Sequence, residues 1–145
     1  MEIERIPLQK HGDSRGMLVA LEQDRNVPFV IGRFHPVSPP PGGAPRGGPP
    51  PPPHTLGGGG ARGSVTFLLD DGTGPVRVVL DDPAYGLHLG SMVWRELYDF
   101  SEDCVLMVLA DHVYDPADYI TDYAVFLREV RGPVYQEGLA ACQSL

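Results

Sequence analysis

Apolar and polar positions follow one another along most of this chain in short runs of strand length, each closed by residues that favour a turn. Ile3 to Leu8 reads as a first strand, His11-Gly-Asp-Ser-Arg-Gly16 as a turn, and Met17 to Glu22 as a short second strand. Phe29 to Phe34 is a strong β run, rich in the branched and aromatic side chains that suit a pleated sheet. Ser64 to Leu69, the turn at Asp70-Asp71-Gly72 and the return from Pro75 to Leu80 predict a hairpin. Tyr85 to Leu89 and Met92 to Leu97 predict two further strands, and the wholly apolar run from Cys104 to Ala110 predicts a central, buried one. The period then changes. Tyr119, Ile120, Tyr123, Phe126 and Leu127 recur at helical spacing, with Asp115 and Asp118 near the start, where the helix dipole favours negative charge. Many short strands followed by one amphipathic helix predict a mainly β fold, a barrel or jelly roll with a C-terminal helix.

The pattern breaks between Ser38 and Gly63. Ten of the sixteen prolines lie between Pro36 and Pro53 and nine of the eighteen glycines between Gly42 and Gly63, so composition divides the chain into three. Five consecutive prolines, Pro49 to Pro53, lack ladder donors, and the four glycines Gly57 to Gly60 carry a high ordering cost with no side chain to bury. The expectation is that no strand forms here and that the barrel is disrupted at about 38–63. Residues 1–132 then read as a single domain whose core comes from 1–37 and 64–130, and 133–145 as a flexible tail.

A net charge of -8 over 145 residues argues against nucleic acid or an anionic membrane as partner, because phosphate binding needs clustered Lys and Arg. Cys104 lies in an apolar run far from Cys142, which reads as a buried thiol in a reducing cytosol. No apolar signal region opens the chain and no stretch approaches ~20 apolar residues. A cytoplasmic protein without a membrane span is expected.

Several stretches resemble the nucleotide-sugar 3,4-ketoisomerases. They are His11 to Gly16 with Leu18 and Glu22, Pro28-Phe29 leading to Arg33, Arg46-Gly47, Leu69 to Gly72, Gly86-Leu87, Trp94-Arg-Glu96, Asp99 to Val105, Val108 to Ala110, and Tyr114 to Ile120 with Tyr123 and Phe126. Together they span nearly all of the chain outside 35–63. The resemblance implies a cupin-type jelly roll and an enzyme of deoxysugar biosynthesis, including that of antibiotics. It implies conversion of dTDP-4-keto-6-deoxyglucose into its 3-keto isomer by a homodimer with exchanged strands, using neither cofactor nor metal.

Residue by residue, the resemblance implies Arg46 as a catalytic group, Arg33 and Arg95 as diphosphate ligands, and His35, Trp94 and Glu96 as further substrate contacts. His35 stands where the family tends to place tyrosine. After Arg-Gly-x the family carries a His-x-His motif that supplies its acid-base histidines, and here those positions are Pro49 and Pro51. The spacing from Arg46 to Asp70-Asp71-Gly72 matches the family without a gap. Length survives while residue identity is lost, as a pair of compensating frameshifts leaves it: His-Ala-His-Arg codons of a GC-rich gene, read out of register, give a proline-rich string. Residues from about Gly48 to Ala61 are therefore expected to be an out-of-frame reading, with the frame restored at Arg62-Gly63.

The chemistry explains why this matters. Moving a carbonyl from C4 to C3 requires a base for the C3 proton, a donor for the enediolate oxygen and a proton returned to C4. Histidine suits the first role and arginine the second; proline has no titratable side chain. The chain as written is expected to be inactive, and a catalytically dead nucleotide-sugar-binding cupin is the alternative. A metal cupin needs a carboxylate near a His-rich strand, and no Asp or Glu lies between Asp24 and Asp70. Without the resemblance, Arg33 and Arg46 read as ordinary surface charges, Trp94 equally as core or as barrel mouth, and Glu96 as a partner of Arg95 or of a neighbouring strand.

Overall fold

The computed structural model describes residues 3–43, 46–48, 55–90, 92–113 and 122–130, of which Gly43, 46–48 and 55–61 are described by backbone alone. Eleven strands are described: β1 Ile3–Pro7, β2 Gln9–Asp13, β3 Gly16–Ala20, β4 Arg33–Val37, β5 Arg46–Gly48, β6 Thr55–Arg62, β7 Val65–Asp70, β8 Pro75–Leu80, β9 Tyr85–Leu89, β10 Trp94–Tyr98 and β11 Val105–Ala110. A helix, α1, occupies 123–130. The strands form a five-stranded sheet in the order β1-β9-β6-β11-β4, a four-stranded sheet in the order β5-β10-β7-β8, and a separate hairpin β2-β3. The protein is mainly β with one C-terminal helix. Among the described residues no strand pair joins the two larger sheets, so the barrel is not closed.

The core lies between these sheets. Leu87, Leu89, Leu106 and Val108 from one and Val65, Phe67, Leu69 and Leu80 from the other form a single buried cluster with Cys104 and Val93. A smaller cluster, Val27 and Leu109 with Ile6, Leu21, Phe29 and Ile31, caps the outer face of the five-stranded sheet. β11 is central, as its apolar run predicts, paired with β4 on one side and β6 on the other. The β7-β8 hairpin is held at its turn by Asp70, whose Oδ1 accepts from the Gly72 and Gly74 amides at 2.7 and 3.3 Å. No helix among the described residues is long and apolar enough to cross a membrane.

Three expectations are corrected. Residues 55–62 do form a strand: β6 pairs with β9 and with β11, and Gly57 stands in register with Leu87 on one side and Val108 on the other. Ladder bonds need only the main chain, so two flanking strands impose an extended conformation that glycine does not prefer but can adopt. The bulge between Val105 and Met107 absorbs the irregularity. Secondly, the β run at 29–34 enters its sheet only at Arg33, because Phe29 and Ile31 pack against the Val27–Leu109 cluster instead. Gly32, whose amide donates to the Ala110 carbonyl at 2.8 Å, makes the transition. Thirdly, the turn expected over His11 to Gly16 narrows to Ser14 and Arg15, with His11 to Asp13 drawn into β2. The start of the expected helix, Pro49 to His54 and the tail at 133–145 lie outside the described residues.

Candidate functional site

Side chains alternate across a strand, so register decides which residues share a space. On β4, Arg33, His35 and Val37 stand opposite Ala110, Val108 and Leu106 of β11, and Val37, Val108 and Leu106 belong to the core between the sheets. Arg33 and His35 therefore sit on the inward face, both half-buried. On β10, Arg95 stands opposite Leu69 of β7 and Gly48 of β5, which puts it on the inward face of the other sheet. The structure thus brings Arg33, His35 and Arg95 to the two faces that look at each other.

Charge is segregated by face. The carboxylates carried by the two sheets are Glu4, Asp70 and Glu96, each one residue out of phase with an inward position. Glu4 is paired in register with His88, whose Nδ1 lies 3.7 Å from its Oε2 on the outer face beside Phe29. Among the described residues, an acidic protein carries arginines and no carboxylate on the inward strand positions of its two sheets. That arrangement suits an anion.

Trp94 and Glu96 are not brought to this space. They flank Arg95 on the strand and so face outward, against α1. The Trp94 indole meets Tyr123 edge-on at 5.2 Å and Phe126 at 5.5 Å, and its Nε1 donates to Glu96 Oε1 at 3.3 Å. Phe126 is fully buried there, and the Tyr123 hydroxyl donates to Asp70 Oδ2 at 2.5 Å. This cluster clamps the helix to the sheet and fixes the strand that carries Arg95. Asp70 is the residue sequence reasoning missed: it reads as a turn former, and nothing local announces its second role as an acceptor for the helix.

The Arg46 backbone stands in register with Leu97 on β10. Its side chain, Pro49 and Pro51 lie outside what is described. Of the other described histidines, His11 is exposed on the β2-β3 hairpin, and His112 Nδ1 bonds Asp111 Oδ1 at 2.5 Å at the far end of β11. Gly63, at φ +79°, ends β6 against the 101–104 turn. There the Ser64 amide donates to Ser101 Oγ at 2.9 Å, Ser101 Oγ donates to Asp103 Oδ1 at 2.8 Å, and Arg62 pairs with Asp103 at 3.4 Å. Burial, with the Asp103 charge adding to it, raises the Cys104 thiol above its ordinary value.

Comparison with known proteins places this geometry in a family. The model of the family described as "FdtA: WxcM-like, C-terminal" matches residues 1–131. TDP-4-oxo-6-deoxy-alpha-D-glucose-3,4-oxoisomerase of Aneurinibacillus thermoaerophilus is 42% identical over 130 residues, covering 90% of this chain and 94% of its own. QdtA, a sugar 3,4-ketoisomerase of Thermoanaerobacterium thermosaccharolyticum solved in complex with TDP, superposes with a TM-score of 0.83 at 32% identity, over 89% of this chain and 94% of that one. A histidine-to-asparagine mutant of the same enzyme, solved with TDP-4-keto-6-deoxyglucose, gives the same TM-score, identity and coverage.

Proposed function

Since the chain belongs to the FdtA, WxcM-like C-terminal family, we propose that its gene encodes a TDP-4-keto-6-deoxyglucose 3,4-ketoisomerase of deoxysugar biosynthesis. The 42% identity to an oxoisomerase, spread over nearly the whole of both chains, carries this reading. The cation-lined inward faces support it, because a TDP sugar must place its diphosphate against fixed positive charge.

In the reaction a base removes the C3 proton, and the C3–H electron pair forms a C3–C4 double bond while the C4 carbonyl becomes an enediolate oxygen. The O3 hydroxyl proton then passes to the O4 oxygen, the O3 electron pair forms the C3 carbonyl, and the C3–C4 π pair takes up at C4 a proton to replace the one removed from C3, which leaves a hydroxyl at C4. No electrons are exchanged with any co-reactant. Arg33 and Arg95 hold the diphosphate, and Arg46 stabilises the enediolate oxygen. The family's two histidines carry the protons, at positions where this chain has Pro49 and Pro51. Residues 48 to 61 are an out-of-frame reading of the gene, and the chain as written binds the nucleotide sugar without turning it over. Trp94 and Glu96 serve the site by holding β10.

The working form is a homodimer with exchanged strands. Support comes from the β2-β3 hairpin, which pairs with neither large sheet and leaves Met17 and Leu18 52% and 59% exposed, because an isolated two-stranded hairpin is marginal in water. A Met17→Glu, Leu18→Glu variant is expected to elute as a monomer. The enzyme works in the cytoplasm, where a buried thiol such as Cys104 stays reduced.

Replacing residues 48 to 61 with a β-forming segment that carries histidines at 49 and 51 tests the reading of the gene. Isomerase activity of the replaced chain, against background in the chain as written, supports it. A tryptic peptide from Gly47 to Arg62 with the written mass, recovered from the source organism, contradicts the out-of-frame reading.

A further inference from the structure

We infer that Tyr123 of α1 is a positioning residue for Arg95, so that docking of the helix on the outer face and binding of the diphosphate on the inner face stabilise one another. The inference rests on the proposed binding of the diphosphate by Arg95 and adds to the site an element that touches no ligand.

Arg95 and Leu69 stand opposite each other on β10 and β7, and Trp94 and Asp70 are the next register pair. The helix holds that second pair from outside. Asp70 Oδ2 accepts from the Tyr123 hydroxyl, and the buried Trp94 indole meets Tyr123 edge-on at 5.2 Å and Phe126 at 5.5 Å. Trp94 Nε1 in turn donates to Glu96 Oε1 at 3.3 Å, which ties together the two outward residues that flank Arg95. Successive side chains leave a strand on opposite faces, so fixing 94 and 96 on one face fixes the direction in which the Cα–Cβ bond at 95 leaves the other.

The attachment is weak enough to be shifted. Among residues 123–130 Phe126 is the one fully buried side chain, and Tyr123 keeps 41% exposure. Asp122 caps the first turn, its Oδ1 accepting from the Ala124 and Val125 amides at 2.7 and 3.4 Å, but so short a helix does not persist without a surface to dock on. An element held by so few contacts opens at a free energy below that of global unfolding. A ligand that uses Arg95 in its fixed position binds the docked form more tightly, and linkage requires the ligand to favour docking by the same factor. Trp94 makes this visible. It is the one tryptophan of the chain, and it faces the helix while the diphosphate faces Arg95, so the ligand alters its emission through the strand and not by contact.

The test adds TDP-glucose to the full chain well below its melting temperature, with Trp94 emission and titration calorimetry followed side by side. The emission is expected to move to shorter wavelength with the midpoint that calorimetry gives. At saturation the amides of 124–130 are expected to exchange with deuterium about fivefold more slowly, the lower end of such couplings. Tyr123→Phe, which keeps the ring and removes the hydroxyl, is expected to bind about fivefold more weakly while its circular dichroism remains that of the folded parent. Phe126→Leu, which loosens the helix by another contact, is expected to weaken binding in the same direction. Calorimetric binding that leaves Trp94 emission and the exchange of 124–130 unchanged overturns the inference, as does a folded, less stable Tyr123→Phe that binds as tightly as the parent; both leave nucleotide-sugar binding intact. Absence of binding in the parent chain overturns both readings.

Discussion

The Tyr123 hydroxyl, from the helix, donates to the carboxylate of Asp70, at the tip of the β7-β8 hairpin, at 2.5 Å. Asp70 is buried, with 7% exposure, and its other oxygen already accepts from two turn amides, so one side chain closes the hairpin and fastens the helix. The register partner of Asp70 is Trp94, and the next residue on that strand is Arg95. The outward polar cluster therefore sets the position of the inward cation.

Tyr123→Phe keeps the ring packed on Trp94 and removes only the hydroxyl. It is expected to lower unfolding stability by about 1 to 2 kcal/mol, as for a hydrogen bond to a charged acceptor. Asp70→Ala removes the same bond and both turn contacts and should cost more. Denaturant melts of the two variants measure this, and equal destabilisation contradicts the double role of Asp70.

Gly63 allows no side chain. Its φ of +79° disfavours any L residue, and an added Cβ would lie 2.8 Å from Cys104 Cα and closer still to Ser101 Oγ. Gly63→Ala is expected to destabilise by several kcal/mol, on the order of 3, since strain and displacement of the 101–104 turn act together. A thermal melt within a degree or two of the parent contradicts this packing.

Cys104 provides a test of burial. Its thiol is raised by desolvation first and by the Asp103 charge second, so the folded state holds the proton more tightly than the unfolded chain does. The linked stability is complete below the ordinary thiol value and is lost as pH rises through the raised one. In a Cys142→Ser background, the remaining thiol should react with a disulfide reagent at pH 8 at least about a hundredfold more slowly folded than in denaturant, because only the exposed thiolate attacks. Equal rates contradict the placement of Cys104 in the core.

Local chemistry made part of this fold legible. The β7-β8 hairpin follows from Asp-Asp-Gly, and the central place of β11 from six apolar residues in succession. β6 was illegible because its strand character belongs to its neighbours: Thr55 alone carries β propensity in Thr-Leu-Gly-Gly-Gly-Gly, and pairing with β9 and β11 supplies what propensity does not. The entry of β4 at Arg33 depends on Phe29 and Ile31 finding the Val27–Leu109 cluster, a tertiary contact with no local sign.

For the site, one signal lay in plain view. Trp94, Arg95 and Glu96 are consecutive on a strand, and a period of two forbids all three from facing one ligand. The register resolves which side is which: Arg95 joins Arg33 and His35 inside, while Trp94 and Glu96 face the helix. Of Arg46, what is described is its backbone register with Leu97.

Proton transfer in the proposed reaction needs a carrier at 49 and 51, where this chain has prolines. Its most direct measurement is an NMR time course of TDP-4-keto-6-deoxyglucose in deuterium oxide, run with the chain as written, verified by mass across residues 47 to 62, and with the chain whose segment 48 to 61 has been replaced. The expected result is 3-keto product deuterated at C4 from the replaced chain, and unlabelled substrate, bound but unchanged, with the chain as written. Labelled product from the verified chain as written contradicts it.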